Sequence, residues 1–338
     1  MTGQGAPHPS RGPSVTFLPD GTTHIVDLHV PLPTSISAAA ADMIRLRNRM
    51  PDPTNGLTAP IEIERKFYDE AQAILEAQLL AIYAVSVEDV VVGGVPGRLV
   101  TPHGHTARPT GPMLINLHGG AFKLGSRSIA EAVPIAARTG VPVLAVDYRL
   151  APEHAYPAAV DDAIAVYRSL LETRTAQGIA IYGSSAGAVL AAETVIAARQ
   201  LGLPMPAAIG FFSGTADFAR TGDTEALFGV IGFAPRVTAV LDQAYGYLAA
   251  AMLTDSVVSP TYADLRGFPP TLCMSGTRDF FLSGTCNFHR SLLHAGVDAR
   301  LVVFDAMPHV HWTKYPDLPE TVEALDLQAA FLMNYIEV

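Results

Sequence analysis

The chain has 338 residues, 49% of them hydrophobic and 16% charged, which is enough apolar material for a large core and excludes a disordered chain. Its 22 Lys and Arg against 32 Asp and Glu give a formal net charge of -10, with no basic cluster able to track a phosphate backbone, so nucleic acid is excluded as a partner. Two cysteines, Cys273 and Cys286, cannot build a disulfide framework, and nothing requires an oxidising compartment.

The opening stretch MTGQGAPHPSRGPSVTF is rich in Gly, Pro and Ser and lacks the apolar run of a secretory signal, which predicts a cytoplasmic protein with a frayed start. Helical patterns follow at residues 37–48 and 63–82. Residues 85–92 and 98–101, separated by Gly93, Gly94 and Gly97, suit a hairpin at one sheet edge. From about residue 112 short apolar runs alternate with longer helical ones. Strands are predicted at 113–117, 141–146, 179–182, 207–212, 271–275 and 300–304; helices are predicted at 129–138, 158–171, 186–200, 285–295 and 319–335. This alternation predicts an α/β fold: about eight mostly parallel strands with helices on both faces.

Two segments leave the alternation. Residues 1–84 and residues 213–262, the second with helix-like pieces and no strand, are expected to form a helical cap over a catalytic domain of residues 85–212 and 263–338. A mean hydropathy of +0.27 raises the question of a membrane span. Residues 178–198 are long enough for one and carry one charge, Glu193. Gly183, Ser184 and Ser185, however, stand where a β-branched run gives way to an Ala/Leu-rich one, which fits a buried strand, a tight turn and a buried helix.

That turn is the most specific signal in the chain. Gly183-Ser184-Ser185-Ala186-Gly187 is a G-x-S-x-G pentapeptide between strand and helix, the context in which it forms a nucleophile elbow. A serine hydroxyl needs a base to take its proton and a carboxylate to orient that base. Asp279 follows the strand at 271–275, and His309 follows the strand at 300–304. All three lie beyond the carboxyl ends of strands, where open parallel sheets bind ligands. His311 competes for the role of base, and Asp298 and Asp305 are further acids near the last strand. His118-Gly119-Gly120-Ala121, directly after the strand at 113–117, reads by itself as a flexible turn or as an oxyanion loop whose N–H groups receive the charge of a tetrahedral intermediate, with the N–H of Ala186 as second donor.

Residues 112–338 resemble the hormone-sensitive-lipase-like branch of the α/β-hydrolases, bacterial carboxylesterases marked by an HGG motif and a G-x-S-A-G elbow. The stretches VDYRLAPEHAYPAAVDD (146–162), SPTYADLRGFPP (259–270), GTRDFFLS around Asp279 and FDAMPHVHW around His309 add to the likeness. The resemblance implies Ser185 as nucleophile, Asp279 as acid, His309 as base, and an oxyanion hole from Gly119, Gly120 and Ala121 plus Ala186. It also implies a helical cap and short to medium acyl chains. Ala121 departs from the third glycine of the usual motif, and Ser184 stands where many members carry Asp or Thr.

Other constellations are weaker. His103 with His105, and His309 with His311, each offer two nitrogens and no acidic or cysteine partner nearby, so no metal is expected. The nucleotide loops G-x-x-x-x-G-K-[ST] and strand-bound G-x-G-x-x-G are missing, and no cofactor is expected. Tyr148, Arg149, Glu153 and Asp161 are expected to form a buried polar network. The expected activity is hydrolysis of a small-molecule carboxylic ester by a serine esterase without stable membrane insertion, with room for a homodimer. The alternatives are a lactone or carbamate hydrolase using the same triad, and a small-molecule receptor on the same scaffold.

Overall fold

A computed structural model describes residues 14–26, 30–47, 60–105, 110–225, 227, 246–249 and 251–337. Its contacts divide the chain into two units, residues 1–35 and residues 36–338. In the first, β1 (Ser14–Phe17) pairs antiparallel with β2 (Thr23–Val26), and every residue of both strands is exposed. Here the expected frayed start is corrected for residues 14–17, while residues 1–13 lie outside the described part. The signal is local: β-branched residues on either side of Pro19-Asp20-Gly21, with Gly21 at φ +89° and the Thr22 N–H donating to Asp20 at 2.9 Å.

The second unit is built on strands whose sequences are apolar at nearly every position, because both of their faces are covered. β5 (Met113–Leu117), β6 (Val143–Val146), β7 (Ile179–Ser184) and β8 (Ile209–Phe212) are buried throughout. With β3 (Val85–Val92), β4 (Val95–Pro102), β9 (Thr271–Arg278) and β10 (Ala299–Pro308) they form one eight-stranded sheet in the order β10-β9-β8-β7-β5-β6-β4-β3. The pairs β3/β4 and β4/β6 are antiparallel; the others are parallel. From β5 the chain runs outward to β6 and then returns to the other side of β5 as β7. The carboxyl ends of β5 and β7 therefore flank the point where the winding reverses, and a crevice opens there.

Helix α3 (Ala132–Thr139) packs against α7 (Pro319–Tyr335). On the opposite face α4 (Ala158–Leu171), α5 (Ala186–Gln200) and α6 (Leu282–His294) send side chains into one apolar cluster with the sheet. Twelve of the fifteen residues of α5 are buried, which accounts for the long apolar run at 178–198 without a bilayer. Among the described residues no helix is long and apolar enough to cross a membrane.

Helices α1 (Ala38–Arg47) and α2 (Ile61–Ile82) come from the N-terminal segment. Arg65 on α2 forms a forked pair with Glu153 at 2.7 Å for both bonds, and donates to the carbonyls of Lys123 and Ala151. Arg98 on β4 grips Glu76 in the same way. The segment 213–262 is described only at 213–225, 227, 246–249 and 251–262. There Tyr247 stacks on Phe122 with ring centroids 3.7 Å apart, and its hydroxyl donates to Glu193 at 3.0 Å.

Element edges differ from expectation by two to four residues. β4 starts at Val95, β6 at Val143, α3 at Ala132 and α6 at Leu282, while β10 runs on to Pro308. The expected network of Tyr148, Arg149, Glu153 and Asp161 does not exist. Arg149 pairs with Asp162 at 2.8 Å, Asp161 is exposed, Glu153 belongs to Arg65, and the Tyr148 hydroxyl donates to the His118 carbonyl. Adjacent residues on a helix point about 100° apart, so of the two aspartates in series only Asp162 faces inward.

Candidate active site

The turn from β7 into α5 holds Ser185 at φ +58°, ψ −122°, a conformation that costs a side-chain-bearing residue on the order of 1–3 kcal/mol. The packing around it leaves no alternative. A Cβ on Gly183 would lie 2.2 Å from the Leu117 carbonyl oxygen, and one on Gly187 would lie 1.8 Å from the same atom. The pentapeptide's glycines thus let the elbow press against the end of β5, and the Ser185 N–H is anchored to the Phe212 carbonyl at 2.9 Å.

Ser185 and His309 are 124 positions apart in the chain, yet His309 Nε2 lies 2.9 Å from Ser185 Oγ. His309 Nδ1 donates to Asp279 Oδ1 at 2.8 Å. Asp279 is fully buried and accepts further bonds from the Phe281 N–H at 3.0 Å and the Ser275 hydroxyl at 2.8 Å. Burial pushes its carboxyl up, but the neighbouring imidazole, the Ser213 hydroxyl and the Phe281 N–H outweigh that and hold it below the usual carboxylate range. Phe280 lies against the imidazole with ring centroids 4.2 Å apart, and Phe281 meets it edge-on. The structure therefore brings Ser185, His309 and Asp279 into one line of hydrogen bonds.

The rivals stand elsewhere. His311 is buried between Phe304 and Trp312 with Nε2 3.4 Å from the Glu320 carbonyl, and burial pushes its imidazole down to about 4. Asp305 accepts from Thr277, and Asp298 accepts from the Tyr335 hydroxyl.

The loop after β5 turns sharply. Gly120 has φ +122°, and a Cβ there would sit 2.2 Å from the Leu124 carbonyl oxygen; Ala121 and Phe122 follow at φ +54° and +60°. His118 braces the loop through Nδ1–H to the Gly119 carbonyl at 2.7 Å, while its ring stacks on Tyr148. The four residues expected to supply an oxyanion hole part company here. The Gly119 N–H donates to Glu131 Oε1 at 3.3 Å, whereas the N–H groups of Gly120, Ala121 and Ala186 donate to no protein acceptor among the described residues. Ala186 is also the first residue of α5, where the helix dipole adds to the pull on an anion.

Two side chains beneath this arrangement are absent from the sequence-based expectation. Glu131, just before α3, reaches up behind the loop; burial pushes its carboxyl up to about 7. Trp312 donates its indole N–H to Ser184 Oγ at 2.9 Å and so pins the residue before Ser185. The available signals were a lone acid in the apolar stretch at 129–136 and the chain's single tryptophan, three residues past His309. Above Ser185 opens a cavity of about 460 Å³, lined on the sheet side by the two turns and His309, and on the other side by Tyr68 and Gln72 of α2. That volume suits a small organic ligand.

Residues 114–313 match the family of the alpha/beta hydrolase fold. Over 279 residues the chain is 35% identical to an acetyl-hydrolase of Streptomyces hygroscopicus, covering 80% of this chain and 89% of that protein. It superimposes on the crystal structure of an esterase from the bacterial hormone-sensitive lipase family with a TM-score of 0.77 at 32% identity, covering 88% of this chain and 97% of the other. The chain belongs to the hormone-sensitive-lipase-like carboxylesterases. A second esterase of known structure, E25, matches this carboxylesterase with a TM-score of 0.81 at 32% identity over 93% of the chain and 99% of its own. The protein is a carboxylic ester hydrolase on an α/β-hydrolase fold.

Neither histidine pair of this esterase converges on a metal site. His105 Nδ1 donates to the Gly140 carbonyl, and His309 and His311 diverge. Among the described residues no group of three metal-ligating side chains exists, and Cys273 and Cys286 are free thiols.

Proposed function

We propose that Ser185 is the nucleophile of a carboxylesterase that works through an acyl-enzyme. The observation that carries this is the unbroken line Ser185 Oγ, His309 Nε2, His309 Nδ1, Asp279 Oδ1, at 2.9 and 2.8 Å. His309 takes the Ser185 proton as the hydroxyl attacks the ester carbonyl, and Asp279 keeps the proton on Nδ1 so that Nε2 is free to accept. The carbonyl oxygen becomes an anion that the N–H groups of Gly120, Ala121 and Ala186 receive. His309 then hands its proton to the departing alcohol. Water, deprotonated by the same nitrogen, attacks the acyl-serine and releases the acid.

Residues 36–84 of the N-terminal segment and the insertion 213–262 act in this proposal as the cap over the catalytic domain of residues 85–212 and 263–338. The grip of Arg65 on Glu153 and the stacking of Tyr247 on Phe122 support it. The substrate is a small-molecule ester of short to medium acyl chain, in keeping with the cavity volume and with a relative named as an acetyl-hydrolase. A cytoplasmic location, no nucleic-acid partner and a homodimer complete the proposal; light scattering tests the last.

Hydrolysis of p-nitrophenyl esters from acetate to palmitate, with Ser185→Ala as control, tests both parts. The expected result is a maximum between acetate and octanoate, with activity lost in the variant. A maximum at palmitate would refute the chain-length assignment, and full activity in Ser185→Ala would refute the nucleophile.

A further inference from the structure

Between the loop after β5 and helix α5 sits one side chain of the insertion that the proposed mechanism does not use. Tyr247 is fully buried and touches three segments that are distant from it in sequence. Its ring lies on that of Phe122 with centroids 3.7 Å apart and planes 1° from parallel; its hydroxyl donates to Glu193 Oε2 at 3.0 Å; its carbonyl accepts from the Tyr156 N–H at 2.7 Å. Phe122 directly follows Ala121, and Glu193 lies on α5 about two helical turns beyond Ala186. The two side-chain partners of Tyr247 thus stand on the two segments that carry the N–H groups proposed to receive the oxyanion.

The loop is not fixed by its own backbone alone. Ala121 and Phe122 stand at φ +54° and +60°, where each side-chain-bearing residue costs on the order of 1–3 kcal/mol and persists only when its surroundings hold it. Part of that hold is hydrogen bonding: the Gly120 carbonyl accepts from the Lys123 and Leu124 N–H groups, and the Phe122 carbonyl accepts from the Ala151 N–H at 2.8 Å. The ring of Phe122 is the remaining handle, and Tyr247 lies flat on it. Glu193 is unexpected on its own account. It is fully buried on a helix of mostly apolar residues, burial pushes its carboxyl well up, and Oε1 has no partner among the described residues. An apolar side chain there would avoid that desolvation. What the carboxyl supplies is an acceptor for the Tyr247 hydroxyl. Stacking alone lets two rings slide over one another, and a hydrogen bond at one end fixes where they stop.

We propose that Tyr247 is a positioning residue for the transition state: bonded to Glu193 and stacked on Phe122, it holds the N–H groups of Gly120 and Ala121 in register with that of Ala186. The insertion then does more than cover the cavity, because it sets the spacing between the two halves of the oxyanion hole. This role of Tyr247 rests on the esterase reading of Ser185 and its three N–H donors, and the two are separable by experiment.

The test compares Tyr247→Leu, which loses the stack and the bond, with Tyr247→Phe, which keeps the ring and loses the bond. Two inhibitors of one chain length read the oxyanion hole. 1,1,1-Trifluorohexan-2-one takes the Ser185 oxygen onto its carbonyl carbon while the serine proton passes to His309, and so presents an oxyanion; hexan-2-ol enters the same cavity and forms no adduct. In Tyr247→Leu the kcat/KM for p-nitrophenyl acetate should fall roughly tenfold or more and the trifluoroketone Ki should rise by a similar factor, because displaced donors miss the oxyanion, while the hexan-2-ol Ki stays within about threefold. Tyr247→Phe should show a smaller change of the same kind, roughly threefold or more. Where Tyr247→Leu does not fold, the ratio of the two Ki values in Tyr247→Phe decides. A ratio unchanged in Tyr247→Phe, or both Ki values rising together, overturns the proposal. An unmodified protein that hydrolyses no ester and binds the trifluoroketone no better than hexan-2-ol would instead sink the esterase reading beneath it.

Discussion

The carboxyl ends of β5, β7, β9 and β10 carry Ser185, Asp279, His309 and the loop of Gly119 to Ala121 in turns of a few residues, whereas the facing wall takes Tyr68 and Gln72 from α2 and Arg47 from α1. On the sheet side the structure is constrained atom by atom: glycines that admit no Cβ, a serine at positive φ, a fully buried carboxylate held by several donors. On the helical side, contact is made by long side chains such as Arg65 and Glu76, whose pairs are partly exposed. Chemistry that needs atoms within a hydrogen bond of one another is placed by rigid turns. The helices on the facing side are held by side-chain pairs, which can change without disturbing those turns.

Substitutions on the two sides should therefore differ in kind as well as in size. The largest effect is expected on the sheet side: His309→Ala should lower kcat by about 10²–10⁴-fold, the range for losing a general acid–base, while His311→Ala should leave kcat within about tenfold and cost stability through its lost packing. A dead His311→Ala enzyme beside an active His309→Ala enzyme would reverse the assignment.

Glu131 comes next, through stability. Its carboxyl titrates near 7 in the folded protein against 4.5 when unperturbed, so below about 4.5 both states hold the proton. As pH rises toward 7 the unfolded chain releases it first, and the folded state loses about 3 kcal/mol relative to it, with no further loss above. Glu131→Gln lacks this decline. Denaturation midpoints of the two proteins should diverge between pH 4.5 and 8, the variant gaining; parallel curves would contradict the buried, proton-holding state.

The smallest effect belongs to the helical side. Arg65→Ala removes a partly exposed ion pair, worth about 1 kcal/mol with its carbonyl bonds, and should raise KM severalfold while kcat stays within about twofold. A drop in kcat as large as that of His309→Ala would erase the distinction between the two sides.

Legibility in the sequence followed the same division. The elbow could be read because its rule is local: a strand, a glycine, a serine, a glycine and a helix, with both glycines demanded by close contact with Leu117. Asp279 and His309 were placed by their position after strands, and the choice over His311 needed the family likeness, because two residues of a turn point in directions that a sequence does not record. Gly119 could not be separated from Gly120 as an oxyanion donor, since the direction of an N–H depends on Glu131, which arrives from the next helix. Asp161 and Asp162 failed for a similar reason: one step of helix rotation decides which faces Arg149. Tyr247 and Trp312 were invisible because their partners, Phe122 and Ser184, lie more than a hundred positions away.

In the proposed mechanism one hydroxyl, Ser185, is made reactive by His309 and Asp279. Treating the folded protein with a fluorophosphonate and mapping the adduct by peptide mass spectrometry tests it most directly. A single adduct is expected, on the peptide containing Ser185, with labelling slowed by at least a hundredfold in His309→Ala. An adduct on another residue, or none on folded protein that still hydrolyses p-nitrophenyl acetate, would contradict it.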